Sequence, residues 1–176
     1  MMSVVTRAFF VALLTENLVF MTFIGAAVAV VFATTVRRSA ITAVRVGAML
    51  FITAVISTAF SGDLAVILQF LLALVSVGIL WQFGDLRDSW QGMPGAVLAV
   101  PLFMGVQLLI QKLPSLGEAF ATSGGMALGF AGAFLLVASV RETARLSEAN
   151  QLFKTNPVVI FSMAIFALIC TGFLFW

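Results

Sequence analysis

Few side chains in this sequence could do chemistry, and the pair that stands out by its position is Glu16-Asn17. It interrupts an apolar run from about Ala8 to Thr34, between Leu13-Leu14 and Leu18-Val19. That run is long enough to cross a hydrocarbon core of about 30 Å, for which about 20 residues suffice. An ionised carboxylate at such depth is costly, so it faces a helix bundle or a wet cavity and marks an ion path or a partner contact. The plain alternative is a Glu that reaches the headgroups from a helix end, or one kept protonated in a packed bundle. The rest of the inventory is exclusion. With no His, no Tyr and a single Cys, Cys170, the chain has neither a His/Cys metal site nor an internal disulfide. It has no glycine-rich phosphate loop, no nucleophile–base set and no paired carboxylates, so the chain alone is expected to catalyse no bond chemistry. The 8 methionines are scattered as gap-filling apolar residues rather than grouped as soft ligands.

The elements that must hold Glu16-Asn17 are membrane spans. Of 176 residues, 62% are hydrophobic and 9% charged, which describes a polytopic membrane protein in a lipid bilayer. A net charge of +2 is too small for a nucleic-acid footprint. The first apolar run follows Arg7 but is long and lacks a small-residue cleavage site, so it reads as a first span and not a removable signal.

Charge clusters and Gly/Pro cut the chain into six apolar segments: about Ala8–Thr34, Val46–Phe60, Leu64–Gln82, Met93–Gln111, Phe120–Val140 and Pro157–Trp176. Ser61-Gly62-Asp63 reads as a tight turn between segments two and three. Pro101, with Gly105 after it, should kink or break segment four. Gly125 and Gly129 have the GxxxG spacing that lets helix backbones approach, here within the chain before between chains. Gln69, Gln82, Ser57 and Thr58 read as interhelical contacts, and Trp81 and Trp90 as interfacial anchors beside the Asp85, Arg87, Asp88 cluster.

Orientation follows from Lys and Arg. The loops after segments one, three and five hold Arg37, Arg38, Arg45, Arg87, Arg141, Arg145 and Lys154, while the other side holds only Arg7 and Lys112. Seven against two places the odd-numbered loops in the cytoplasm and both termini outside, in a bacterial-type inner (cytoplasmic) membrane. Three spans per half force the halves into opposite orientations. The expected fold is therefore all-α and integral to the membrane: one domain over 1–176, built as a 3+3 inverted repeat (about 1–84 and 93–176). Its first and fourth helices are broken and meet near mid-membrane.

Glu16-Asn17-Leu18-Val19-Phe20 through Phe23-Ile24-Gly25, Val100-Pro101-Leu102, Gly129-Phe130 through Ala138-Ser139-Val140-Arg141-Glu142, Asn156-Pro157 and Thr171-Gly172-Phe173 together resemble one family. It is that of the membrane subunits of the Rnf and Nqr electron-transport complexes, the RnfA/RnfE and NqrD/NqrE paralogues. The outside N-terminus is closest to the RnfA/NqrE arm. The resemblance implies six-helix inverted repeats that pair as pseudo-symmetric heterodimers. Each partner gives two Cys thiolates from its broken helices to a central iron–sulfur cluster, which passes electrons across the bilayer while the complex moves Na⁺ or H⁺. At the positions that match those cysteines this sequence has Ala27 and Gln107, neither of which replaces a thiolate. Cys170 is remote from both and reads as a small buried apolar residue. No cofactor is expected in this chain, and a cluster only if partner chains supply the ligands.

Two functions from different classes follow. In the first, the chain is a cluster-free scaffold or ion-path arm of an electron-transport complex, beside a paralogous six-helix subunit and other membrane subunits. Glu16 is then the proton or cation carrier, with Asn17 and Gln107 as neutral oxygen or amide groups nearby. The alternative is a small secondary transporter with inverted repeats and no redox partners. Against it, so few polar groups leave little for a solute site. Arg141-Glu142 resembles a family feature, and its plain reading is a solvated helix end with local ion pairing.

Overall fold

The computed structural model describes all residues except 1, 2, 21, 23, 61–63, 91, 114, 147–155 and 173–176, and for residues 90, 156, 157, 171 and 172 only the backbone. The turn expected at Ser61-Gly62-Asp63, together with Phe23, Lys154 and Phe173, lies outside the described residues. The elements are α1 (Val4–Phe10), a π-helical turn (Val11–Thr15), α2 (Ala26–Phe32), α3 (Val36–Ser57), α4 (Ala65–Gln82), β1 (Ser89–Trp90), β2 (Met93–Pro94), α5 (Gly95–Ile110), α6 (Leu116–Leu146) and α7 (Asn156–Gly172). The two short strands pair antiparallel, Ser89 with Pro94 and Trp90 with Met93, in a small hairpin between α4 and α5.

Three helices, α3, α4 and α6, are long and apolar enough to cross a membrane. Each has 18 residues or more, which at 1.5 Å per residue gives at least about 27 Å. The centre of the fold is α3 packed along α6. There Gly47 of α3 lies against the Ala127 carbonyl of α6, where an added Cβ would sit 3.2 Å from the oxygen. Large side chains fill the interior: Leu50, Leu102, Phe103, Phe130 and Phe134 are fully buried. The outer face of α4, by contrast, exposes Val66, Ile67, Phe70, Leu71, Leu74 and Val75, as a lipid-facing helix does.

Two expectations need correction. The apolar pattern starts segment two at Val46, but α3 begins at Val36, so Arg37, Arg38 and Arg45 sit on the helix and not in a loop. Hydropathy registers only the apolar part of a helix that continues past the hydrocarbon. Second, α5 runs unbroken from Gly95 to Ile110 through Pro101. Pro101 is exposed on the outer face, so its ring stays clear of the packed core, and only one ladder hydrogen bond is lost. The first segment does break, between Glu16 and Gly25.

Candidate functional site

Among the described residues, the break in the first segment is a stretch of irregular backbone with buried residues on both sides of it. Up to it, the chain runs parallel to α6. Val5 lies against Gly117, the Phe9 carbonyl against Gly125, and Leu13 against Gly129, where a Cβ would meet the Leu13 carbonyl at 2.8 Å. Beyond the break, Arg141 Nη1 donates to the Ala33 carbonyl at 2.9 Å. From Gly117 to Arg141, α6 advances about 36 Å at 1.5 Å per residue, and Gly129 is halfway. Glu16-Asn17 therefore sits level with the middle of α6.

Helix geometry loosens before it fails. The Glu16 N–H bonds the Val11 carbonyl at 2.9 Å, a π-type turn, and Thr15 Oγ1 donates to the same carbonyl at 2.8 Å. Asn17 then takes over the unsatisfied backbone. Its Oδ1 accepts from the N–H groups of Val19 (3.0 Å) and Phe20 (3.2 Å), and its Nδ2 donates to the carbonyls of Leu13 (3.3 Å) and Gly129 (3.0 Å). One amide thus satisfies both sides of the break and ties it to α6. Irregular backbone at membrane depth is tolerated only when enclosed in this way. Leu18, Val19 and Phe20 are buried, and Phe20 stacks on Phe166 of α7 with ring centroids 5.4 Å apart.

The far side of the break rests on α5. A Cβ at Gly25 would stand 3.3 Å from Leu102 Cδ1 and 3.1 Å from Phe130, and one at Gly105 would stand 3.0 Å from Ile24. The interrupted first segment and the Pro101–Gly105 stretch of α5 thus meet inside the bundle, and only the first of them is broken.

No family model and no curated protein matches the chain. What the site can do must therefore come from its own geometry.

The three candidate polar residues do not form one group. Asn17 is buried and its amide is spent on four backbone partners. Glu16 is exposed on the outside of the break, without an ion pair among the described residues. Gln107 is fully buried, and its amide has no hydrogen-bond partner among the described residues. It lies about 140° around α5 from Leu102 at 100° per residue, so it turns away from the break. Ala27 is exposed in the first turn of α2. An exposed methyl and a neutral amide on different faces do not fit an iron–sulfur cluster. Cys170 lies on α7, partly buried against the core.

Residues read from sequence as solvated charges prove to be fasteners. The Val36 N–H, in the first turn of α3, donates to Glu142 Oε2 at 2.6 Å while the neighbouring Arg141 holds the carbonyl of Ala33, the residue that caps the end of α2. Each charge sits at the helix end whose dipole it complements. The side chain of Asp85, unlike those two, is nearly buried. It accepts from Thr42 Oγ1 at 2.9 Å and pairs with Arg45 at 3.2 Å, fixing α3 to the turn after α4. Arg45 also lies over Phe83, and Arg87 over Trp81. The sequence signal for these roles was weak: an opposite-charge dipeptide at a helix end specifies no partner.

Proposed function

We propose that the chain is an integral membrane subunit of an Rnf- or Nqr-like electron-transport assembly, acting as an arm without a cluster of its own beside a related six-helix subunit. The observation that carries this reading is the contact of Ile24-Gly25 with Leu102 and Gly105, which brings the broken first segment onto the fourth at mid-crossing. The pairing of elements supports a 3+3 inverted repeat. With α3 on α6 as the self-paired centre, the first segment along α6 corresponds to α5 along α3. By the same relation α4 on α5 corresponds to α7 on the first segment, and α3 on α4 to α6 on α7. The seven-to-two bias of Lys and Arg supports cytoplasmic odd-numbered loops and outside termini in a bacterial-type inner membrane.

In this reading Asn17 holds the break in place and Glu16, exposed at mid-crossing, is the residue left to handle a proton or cation. A charge at that depth needs a wet or partnered environment, which a neighbouring subunit supplies. The test is isolation of the protein from its native membrane, with identification of copurifying chains and iron analysis. Flavin and iron–sulfur subunits in the preparation support the proposal. A lone species favours the small secondary transporter, and iron ligated by this subunit at the Ile24–Gly105 contact overturns the cluster-free arm.

A further inference from the structure

Gln69 and Gln107 differ from Asn17, the other buried side-chain amide among the described residues. Both are fully enclosed, and among the described residues neither the Oε1 nor the Nε2 of either has a hydrogen-bond partner. Enclosing an amide without partners forfeits its hydrogen bonds to water, so two such amides in one fold need a cause.

Their positions supply one. α4 packs on α3 and α5, and its buried stripe of Ala65, Gln69, Ala73, Ser76, Val77 and Leu80 faces them. Gln107 turns away from the first segment, toward the same seam. Depth agrees as well. Gln111 Nε2 donates to the Phe60 carbonyl at 3.3 Å, which sets the end of α5 beside the end of α3. Gln107 is one turn inside Gln111, and Gln69 is one turn inside Ala65, the first residue of α4. Thr53 and Ser57, buried in the last turns of α3, share that level. Their hydroxyls donate to the Met49, Leu50 and Ala54 carbonyls, which leaves lone pairs able to accept.

The chemistry of the four groups selects the guest. Each amide needs both an acceptor for Nε2 and a donor for Oε1. A cation would leave the Nε2 hydrogens unmet, and an anion would leave the oxygens unmet. A neutral molecule that both donates and accepts meets all of them, and in a close-packed helix seam its size is that of water. We propose that Gln69 and Gln107 bind a small water cluster that bridges the two amides and the Thr53 and Ser57 hydroxyls, entering past the Gln111–Phe60 rim. This site stands independently of the electron-transport reading.

The test is NMR of the full chain in lipid nanodiscs, labelled with ¹⁵N-glutamine. Variants Gln69→Leu and Gln107→Leu each delete one side-chain signal and so assign it. If either fails to fold, replacing Gln82, Gln91 and Gln151 by Ala leaves the two buried signals beside that of exposed Gln111, which its direct exchange with solvent identifies. The expected result is cross-relaxation between water and the Nε2 hydrogens of both Gln69 and Gln107. Cross-peaks only between the two side chains, with none to water, would mean a direct amide pair and overturn the proposal. Absence of both kinds of cross-peak overturns it equally.

Discussion

Asn17 Nδ2 donates to the Gly129 carbonyl at 3.0 Å across 112 residues of sequence, and the same side chain accepts from the backbone at Val19 and Phe20. This one residue makes a break in the first segment possible beside the middle of α6. Without it, two N–H groups and one end of the break lose their partners.

Asn17→Leu is therefore expected to destabilise the fold by several kcal/mol. Each buried group left unmet costs about 1–3 kcal/mol, and the substituted side chain is larger at a close contact. Thermal unfolding in a fixed detergent measures it. A midpoint equal to wild type would show that the break is held by other contacts.

Two glycines on α6 should behave oppositely. At Gly125 an added Cβ would collide with the Phe9 carbonyl and sit 2.9 Å from Ala12 Cβ, whereas nothing lies within 4 Å at Gly132. Gly125→Ala should cost about 1–3 kcal/mol by overpacking. Gly132→Ala should be neutral or stabilise by up to about 1 kcal/mol, because it only adds helix propensity. Paired unfolding curves decide whether the close approach is real.

Glu142→Gln keeps the shape of the side chain that accepts from Val36 but removes its charge. A loss of about 0.5–1 kcal/mol is expected from the weakened interaction with the start of α3. Hydrogen exchange should accelerate in the first turn of α3 and not in its last. Uniform acceleration along α3 would argue against a local cap.

Pro101→Ala adds an N–H to a helix that is already continuous. The midpoint of unfolding should rise, since an interior proline costs a helix about 3 kcal/mol relative to alanine. A fall would mean that the ring makes a contact the fold needs.

Glu16→Gln should leave unfolding within about 0.5 kcal/mol of wild type, as exposed positions do. If Glu16 is the carrier proposed above, coupled ion movement by membranes containing the assembly should be lost. Unchanged ion movement, with the complex intact, removes Glu16 from that role.

Much of the architecture could be read before folding was considered. The apolar segments fall on the helices, and the boundaries of α4 agree with the sequence reading to within one residue at its start. The disruption at Glu16-Asn17 was legible because a polar pair inside a membrane run is expensive wherever it ends up. Pro101 was misjudged for a related reason. Residue type records the lost hydrogen bond, but the ring's outward direction, which decides whether the helix must bend, is set by packing. Arg141-Glu142 looked solvated because its partners, Ala33 and Val36, are more than a hundred residues away in sequence.

The sequence alone determined a helical membrane chain, the number and order of its apolar segments, and the absence of thiolates at Ala27 and Gln107. Those are properties of residue type and local spacing, which hydropathy and covalent structure carry without reference to distant neighbours. Only the tertiary structure decided that Asn17 is a clamp, that Glu16 faces outward, and that the Gln69 and Gln107 amides are enclosed without hydrogen-bond partners among the described residues. Burial and hydrogen-bond satisfaction depend on which helices come together, and that is decided by packing between residues far apart in the chain.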